Sequence, residues 1–349
     1  MNRISEIDRN FEIGSTLSHE GIKFYNCLDK PFCVYGVKKY DDRFRRMPKE
    51  VAKRVSEGVF ALHDMTAGGR VRFKTDSKCV AISAKMENIS KMSHFAFSGS
   101  AGFDLYADDI YIKSYIPPIN LTDGYEGMHI FEDVKMRDIT INFPLYSGVV
   151  DLHIGLDEDA QILEASAYVN DKPVVYYGSS ITQGGCASRP GTSYQSIISR
   201  RFNCDYLNLG FAGNAKAEDE IIEYIKGLDM SLFVYDYDHN APDTEHLQRT
   251  HEKMFKAIRE EHKDIPIIMM SRPKNILDKS EIVRREIIEK TYNNALSTGD
   301  KNVYFIDGKK LTELCGNEGT VDNCHPTDFG FASMAKALGD VIEKNKLIQ

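Results

Sequence analysis

Two adjacent serines stand where an apolar run meets a glycine-rich turn, in the stretch VVYYGSSITQGG at residues 174–185. A serine hydroxyl at such a turn can attack a carbonyl carbon when a histidine takes its proton and nearby N–H groups bind the oxyanion. The glycines on both sides of Ser180 would leave room for a substrate to approach. The pair Ser179 and Ser180 also suits a simpler role, because serines commonly cap helices and form turns.

A histidine for such chemistry is present in VDNCHPTDFGF, where His325 follows Asp322 by three residues. A short loop can hold this carboxylate against one ring nitrogen and leave the other nitrogen to face a serine. Asp328 is a second carboxylate nearby, and it also suits the N-cap of the last helix. The alternative is an exposed loop histidine whose spacing from Asp322 has no chemical meaning, because Asp-x-x-His alone is a weak motif.

Two further positions could stabilise an oxyanion: Gly213 in NLGFAGNA through its backbone N–H, and Asn240 in DYDHNAP through its side-chain amide. The second stretch also suits a polar strand end at the protein surface. Asp236, Asp238 and His239 raise the question of a metal, but neighbouring strand residues point to opposite faces and make a poor cage. The sequence therefore predicts neither a metal nor a cofactor.

The second half of the chain has the pattern needed to position these residues. From about residue 170, five apolar runs are each followed by an amphipathic helix, which is typical of a parallel sheet covered on both faces. Ligands of such sheets bind beyond the carboxyl ends of the strands, and the serines, Gly213 and Asn240 each follow a strand. The five runs are KPVVYYGS, CDYLNLGF, MSLFVYDYD, IPIIMMSRP and NVYFIDG.

The first half of the chain has a different texture. Short alternating segments separated by turns predict an antiparallel β-sandwich or jelly roll, and only PKEVAKRVSEGVFALH at residues 48–63 is clearly helical. We therefore predict a β-sandwich (jelly-roll) domain at residues 1–168 and an α/β domain at residues 169–349. The predicted strands lie in GRVRFKTD, CVAISAKME, GFDLYADD, DIYIKSYI, DITINFPL and VVDLHIGL.

The charge and the apolar content of the chain argue against some classes of binding partner. The 349 residues carry a formal net charge of −8, which argues against nucleic acid or an anionic membrane surface as the main partner. No apolar run approaches the ~20 residues of a membrane helix, and no secretory signal is visible, so a cytoplasmic location is expected. The seven cysteines form no CxxC motif and are interpreted as free thiols.

Taken in order, four blocks of the second half resemble the SGNH (GDSL-type) hydrolase family. GSSITQG resembles its first block, NLGFAGN its second, YDHN its third and DNCHP its fifth. The resemblance implies a flavodoxin-like domain with a five-stranded parallel sheet. Two departures are that Ser179 stands where the family usually has Asp, and that the third block lacks the usual Gly-x-Asn-Asp form.

The resemblance implies a role for each candidate. Ser180 would be the nucleophile, His325 the base and then the acid, and Asp322 the group that orients the imidazole. The backbone N–H groups of Ser180 and Gly213 and the amide of Asn240 would form the oxyanion hole. The layout, with a β-sandwich ahead of the hydrolase domain, resembles bacterial carbohydrate esterases and the tailoring acyltransferase/hydrolase enzymes of the same superfamily.

The expected activity is removal of small acyl groups, most simply acetyl, from a sugar or oligosaccharide. Arg189 and Arg272 could contact a polar or anionic substrate, although each could instead pair with an acidic neighbour. The alternatives are a lipase or thioesterase acting on other esters, and a carbohydrate-binding protein without activity. The N-terminal domain could bind carbohydrate. Alternatively, it could form one side of the active-site cleft and contribute contacts to a homo-oligomer.

Overall fold

The structure, a computed structural model, describes residues 17 and 19–348, so part of the predicted 1–168 domain (residues 1–16 and 18) lies outside it. As predicted, the strands up to residue 163 are antiparallel and those after residue 173 are parallel. The antiparallel strands are β1 (Ile22–Asn26), β2 (Cys33–Tyr35), β3 (Lys38–Tyr40), β4 (Arg43–Arg45), β5 (Arg70–Thr75), β6 (Cys79–Glu87), β7 (Phe103–Ala107), β8 (Ile110–Tyr115), β9 (Gly124–Ile130), β10 (Arg137–Asn142), β11 (Gly148–Asp157) and β12 (Ile162–Leu163).

Two antiparallel sheets share one core. The first has the order β1-β11-β6-β9, and the second has the order β12-β5-β10-β7-β8 with β2 added on β5. Ile82 and Ile154 of the first sheet and Phe73 and Ile141 of the second are fully buried in the same apolar cluster. Alternation of apolar and polar residues along these strands explains why each sheet buries one face. All six strands predicted from sequence are confirmed, whereas β1–β4, β9 and β12 were not predicted.

The segment at residues 48–63 forms two short helices instead of one, α1 (Lys49–Val55) and α2 (Glu57–Leu62). The break falls at Ser56, whose extended backbone ends α1 and whose Oγ accepts the Val59 N–H at 3.2 Å to cap α2. A short helix α3 (Phe97–Ser100) follows later in the sandwich.

The second half forms the predicted five-stranded parallel sheet, with the order β14-β13-β15-β16-β17. This arrangement places the change of winding direction beside β13, so the crevice at the carboxyl ends of β13 and β15 is the expected ligand site. The strands are β13 (Val174–Gly178), β14 (Tyr206–Gly210), β15 (Leu232–Asp236), β16 (Ile267–Met270) and β17 (Val303–Ile306). The helices are α4 (Ser180–Gln183), α5 (Tyr194–Phe202), α6 (Asp219–Lys226), α7 (Thr244–Glu261), α8 (Lys279–Ser297), α9 (Gly308–Leu311) and α10 (Asp328–Asn345).

The two halves are joined by buried contacts. Val59 of α2 packs in one cluster with Tyr177 and Phe211 of the parallel-sheet half. Arg46 is fully buried between the halves, where its guanidinium donates to the carbonyls of Leu62 and Asn208 at 2.7 and 3.1 Å. The predicted boundary at residues 168/169 falls between β12 and β13, although α1 and α2 pack on the parallel sheet. Within the described residues, we find no helix with the length and apolar character needed to cross a membrane.

Candidate active site

The two serines after β13 have different roles in the local structure. Ser179 is fully buried, has an extended backbone and accepts the Ile181 N–H on its Oγ at 3.2 Å, so it is the N-cap of α4. Ser180 is the first residue of α4 and is partly exposed. The capping hydrogen bond occupies the first hydroxyl, and the second is left to face the surface.

A buried carboxyl group lies directly beneath this turn. A Cβ added to Gly178 would lie 1.8 Å from Asp236 Oδ1, so the close approach requires glycine. Asp236 accepts hydrogen bonds from the Thr182 hydroxyl and the Ser179 N–H, and its Oδ2 has no partner among the described residues. Burial raises the pKa of Asp236 to about 8, so the group is largely neutral at pH 7. The sequence indicated either a polar strand end or a metal ligand at Asp236, and it gave no sign of this support of the turn.

Ser180, His325 and Asp322 form a continuous chain of hydrogen bonds. Ser180 Oγ lies 2.9 Å from His325 Nε2, and His325 Nδ1 lies 2.7 Å from Asp322 Oδ2. The other oxygen of Asp322 accepts the backbone N–H of His325 at 2.7 Å. Because a carboxylate can only accept, Nδ1 carries the ring hydrogen and Nε2 is left to accept the serine proton. The structure therefore brings together the three residues that the sequence singled out.

The charge of Asp322 fits this arrangement. Partial burial acts to raise the pKa of Asp322, but the hydrogen bonds from the backbone and ring of His325 outweigh it and hold the pKa below the usual value. The carboxylate is consequently ionised at neutral pH. An ionised Asp322 fixes the tautomer of His325 and can stabilise the imidazolium that forms when a proton is taken.

Gly213 and Asn240 lie side by side next to the carboxyl ends of the central strands. Gly213 is exposed, has a φ of +70°, and has no atom within 4 Å of the position that a Cβ would take. One end of the Asn240 amide lies 3.3 Å from Gly213 N, and the other lies 3.4 Å from Ala215 N and 3.2 Å from Phe211 O.

These distances allow the Asn240 amide two orientations. With Nδ2 towards Gly213, the amide nitrogen faces the Gly213 N–H, which is also a donor, and Oδ1 accepts the Ala215 N–H but lies 3.2 Å from the Phe211 carbonyl oxygen. With Oδ1 towards Gly213, the amide accepts the Gly213 N–H and donates to the Phe211 carbonyl. The second orientation satisfies both ends of the amide within the protein, and the oxyanion-hole roles of Gly213 and Asn240 stay predictions.

The two arginines predicted to contact substrate are both paired with carboxylates. Arg189 Nη1 lies 3.3 Å from Asp104 Oδ2 of the sandwich. Arg272 Nε lies 3.2 Å from Asp238 Oδ2, and its Nη1 lies 2.8 Å from Glu281 Oε1. These contacts account for both guanidinium groups without a substrate, as the alternative interpretation expected. Substrate contact by Arg189 and Arg272 stays a prediction.

Comparison with known proteins agrees with this geometry. The model of the GDSL-like Lipase/Acylhydrolase family matches residues 171–343, and the model for the N-terminus of Esterase_SGNH_hydro-type proteins, called GxDLY, matches residues 22–162. The chain belongs to the GDSL-like lipase/acylhydrolase family. Its two matched regions correspond to the parallel-sheet half and the sandwich. No match to a curated protein was found.

Solved structures share this two-part GDSL-like fold over nearly the whole chain. A GDSL-like lipase from Bacteroides ovatus is 25% identical with a TM-score of 0.83, covering 94% of this chain and 99% of its own. A salicylyl-acyltransferase from a tetracycline biosynthetic pathway is 18% identical with a TM-score of 0.78, covering 95% and 100%. An acetyl xylan esterase from Butyrivibrio proteoclasticus is 12% identical with a TM-score of 0.60, covering 93% and 99%.

The motif that gives the N-terminal GxDLY model its name explains how the sandwich meets the GDSL-like half. In this chain it reads Gly102-Phe103-Asp104-Leu105-Tyr106, on β7. Asp104 is fully buried and accepts the Gly191 N–H at 2.7 Å and an Asn142 amide hydrogen at 2.8 Å. The sequence predicts the segment only as a strand. An aspartate among buried strand residues was the signal that could have revealed its role.

The sandwich also reaches the GDSL-like site itself. The Tyr146 hydroxyl donates to the Ser180 carbonyl at 3.0 Å. His94, on the loop before α3, has its ring centroid 5.9 Å from that of His325. Neither residue lies in a recognisable motif, so neither could be singled out from the sequence.

Proposed function

We propose that this member of the GDSL-like family is a serine esterase that removes small acyl groups, acetyl first among them, from a sugar or oligosaccharide. The observation that carries the proposal is the chain of hydrogen bonds from Ser180 Oγ through His325 to Asp322, at 2.9 and 2.7 Å. Family membership supports acyl-ester hydrolysis as the class of reaction.

The proposed mechanism has two half-reactions, in each of which His325 acts first as base and then as acid. Ser180 Oγ attacks the ester carbonyl while its proton passes to His325 Nε2, and Asp322 stabilises the resulting imidazolium. The N–H groups of Ser180, Gly213 and the Asn240 amide bind the oxyanion. His325 then protonates the leaving alkoxide, which leaves an acyl-enzyme at Ser180. Water attacks this ester with His325 again acting as base, and His325 then returns the proton to Ser180 Oγ as the C–O bond breaks and the acid is released.

The size of the acyl group and the sugar substrate are the finer parts of the proposal. Their support is the likeness to the acetyl xylan esterase, which at 12% identity reflects the shared fold. The likeness to the salicylyl-acyltransferase favours a second candidate, in which an alcohol of another molecule replaces water in the second half-reaction. Both candidates share the acyl-enzyme at Ser180.

The first experiment compares Ser180→Ala with Ser179→Ala on a chromogenic acetate. We expect Ser180→Ala to lose turnover and labelling by a fluorophosphonate while its unfolding transition is unchanged. Ser179→Ala removes the cap of α4, so it should cost about 1 kcal/mol of stability but keep the label. Turnover in Ser180→Ala equal to that of the unsubstituted protein would overturn the proposal.

The second experiment identifies the substrate. Nitrophenyl esters of increasing chain length should show the highest kcat/KM for acetate, whereas a maximum at long chains would favour a lipase. A panel of acetylated oligosaccharides is then assayed for released acetate. Acyl transfer is tested by adding alcohol acceptors and measuring the ratio of new ester to free acid. Activity on nitrophenyl acetate with none on any acetylated sugar would overturn the sugar part of the proposal.

A further inference from the structure

Three side chains from separate parts of the chain converge beside Ser180. His94 comes from the sandwich loop between β6 and α3, Cys186 from the turn after α4, and His325 from the loop before α10. Each offers one ligand atom, and these atoms all lie within 4.8 Å of one another. Ligands of one tetrahedral metal ion, bound at about 2.0–2.3 Å, are themselves about 3–4 Å apart. Small side-chain rotations would close the remaining gap.

The donor atoms define the class of ion. Two imidazole nitrogens and one thiolate are ligands that zinc-class ions prefer, whereas Mg²⁺ and Ca²⁺ prefer oxygen. Three protein ligands leave one tetrahedral position for water, as in open zinc sites. The Asp322 carboxylate on His325 Nδ1 also resembles the outer partner that orients most metal-bound histidines, and it leaves Nε2 facing the cluster.

We propose that His94, Cys186 and His325 bind a zinc-class divalent cation, and that the bound cation inhibits the esterase by occupying His325 Nε2. No metal is predicted from the sequence, in which Asp236, Asp238 and His239 were the candidate ligands. Those residues lie on one strand and its end, whereas the new set is assembled by the fold from both halves of the molecule. The binding part of the proposal is independent of the esterase, and the inhibition part rests on the proposed function.

Inhibition is expected because the metal and the serine proton compete for the same lone pair on His325 Nε2. His325 Nε2 lies 2.9 Å from Ser180 Oγ and must accept the serine proton during attack. A metal–nitrogen bond uses that same lone pair, so the bound form cannot act as a base. The Cys186 thiol loses its proton when its sulfur binds the metal, so one proton is released for each ion bound.

Binding is tested with Co²⁺ and the full-length protein, because a cobalt–thiolate bond gives a charge-transfer absorption that imidazole alone does not. We expect the unsubstituted protein and Ser180→Ala to develop this band with one equivalent of Co²⁺, and excess Zn²⁺ to remove it. Cys186→Ser should lose the band, and His94→Ala should weaken binding at least ~10-fold. Cys186→Ala serves as a second thiol-free variant if the serine variant fails to fold.

Cys324→Ser is the matched control, because Cys324 precedes His325 in the same loop and is not in the cluster. It should retain the cobalt band. A band that persists in Cys186→Ser, or that disappears in Cys324→Ser, would overturn the proposed ligand set. No band in the unsubstituted protein would overturn the site.

Inhibition is tested by the rate of nitrophenyl acetate hydrolysis at increasing Zn²⁺, relative to the metal-free rate of each variant. We expect Zn²⁺ to inhibit, EDTA to restore the rate, and Mg²⁺ to have no effect. In His94→Ala, the inhibitory Zn²⁺ concentration should rise at least ~10-fold. Equal inhibition of the unsubstituted protein and of His94→Ala at the same Zn²⁺ concentration would overturn the proposal. A cobalt band in a protein without esterase activity would overturn the proposed function and leave the binding site standing.

Discussion

The nucleophile turn (residues 178–185) and the relay loop (residues 320–327) supply the two sides of one hydrogen bond, but the fold holds them differently. The nucleophile turn is buried and is supported by groups far away in the sequence, namely Asp236 below it and Tyr146 of the sandwich. The relay loop is held mainly by itself. His325 N donates to Asp322 at 2.7 Å, and Val321 N donates to the His325 carbonyl at 2.9 Å.

Exposure shows the same difference. Ser179 and Asp236 are 0% and 3% exposed, whereas the side chains of His325 and Asp322 are 25% and 37% exposed. A change at a buried residue of the nucleophile turn, unlike one at the partly exposed Ser180, must therefore disturb packed atoms and cost stability. A change in the relay loop can remove chemistry and leave the fold intact. The reactive serine therefore depends on tertiary structure, whereas the hydrogen bonds of the histidine relay form within one short loop.

The largest effect is expected for Asp322→Asn, in the relay loop. An amide can present its NH₂ group to Nδ1, which favours the wrong tautomer, and it carries no charge to stabilise the imidazolium, so kcat should fall about 10⁴-fold. The unfolding free energy should change by less than about 1 kcal/mol, because the side chain is well exposed. Kinetics on nitrophenyl acetate and urea unfolding measure the two effects. Glu318→Gln, an exposed change in the preceding turn, should alter neither. A loss of several kcal/mol in the unfolding free energy would contradict the view that the relay loop can lose its chemistry and leave the fold intact.

Gly178→Ala tests the opposite behaviour in the nucleophile turn. The new methyl group would lie 1.8 Å from Asp236 Oδ1 and 2.3 Å from Thr182 Oγ1, so these buried side chains or the backbone must shift, and we expect a loss of about 3 kcal/mol of stability. Gly227→Ala is the matched control, since the nearest atom to its Cβ would be 3.7 Å away and its φ is −82°. Urea unfolding of the two variants decides the question. Equal stabilities would show that the turn is not tightly packed from below.

The same difference explains what the sequence could predict. The α/β half follows from apolar runs alternating with amphipathic helices, and all five predicted strands of the parallel sheet are confirmed. Asp322 and His325 could be proposed as a pair because only two residues separate them. Their hydrogen bonds, at 2.7 Å, lie within the loop itself.

The supports of the nucleophile turn could not be predicted in this way. Asp236, Tyr146 and His94 reach the site from distant segments, and no local pattern reports which strand ends will meet. The strands β1–β4 were missed because several are three residues long, which is too short for alternation to be recognised. Arg189 was associated with substrate by its nearness in sequence to Ser180, whereas tertiary structure pairs it with Asp104.

Asp236→Asn tests whether the buried carboxyl group beneath the nucleophile turn makes the stability of the protein depend on pH. Burial raises the pKa of Asp236 to about 8, so between pH 4 and 8 the folded protein keeps a proton that the unfolded chain has released. The stability from this group is therefore complete below pH 4 and is lost as the pH rises to 8. Asparagine carries no such proton, and the downward slope of stability between pH 5 and 7 should decrease by up to about 1.4 kcal/mol per pH unit.

Urea unfolding at pH 5, 6, 7 and 8 measures that slope, with Asp340→Asn as the control. The hydrogen bond from Lys336 lowers the pKa of Asp340, so its contribution is present above the pKa of the unfolded chain and is lost only in acid. The control should leave the slope between pH 5 and 8 unchanged. An unchanged slope in Asp236→Asn would mean that the buried carboxyl does not hold the proton assigned to it.

The smallest effect is expected for Tyr146→Phe, which removes the hydrogen bond from the sandwich to the Ser180 carbonyl. That carbonyl also accepts the N–H groups of Gly184 and Gly185 at 3.1 and 2.8 Å, so it stays satisfied and the loss should be about 1 kcal/mol. The sharper measurement is the double variant with Asp322→Asn. If the nucleophile turn and the relay loop are held independently, their unfolding free energies add within about 0.5 kcal/mol. A larger coupling would mean that the sandwich also positions the relay loop, and the two sides of the site would then form one structural unit.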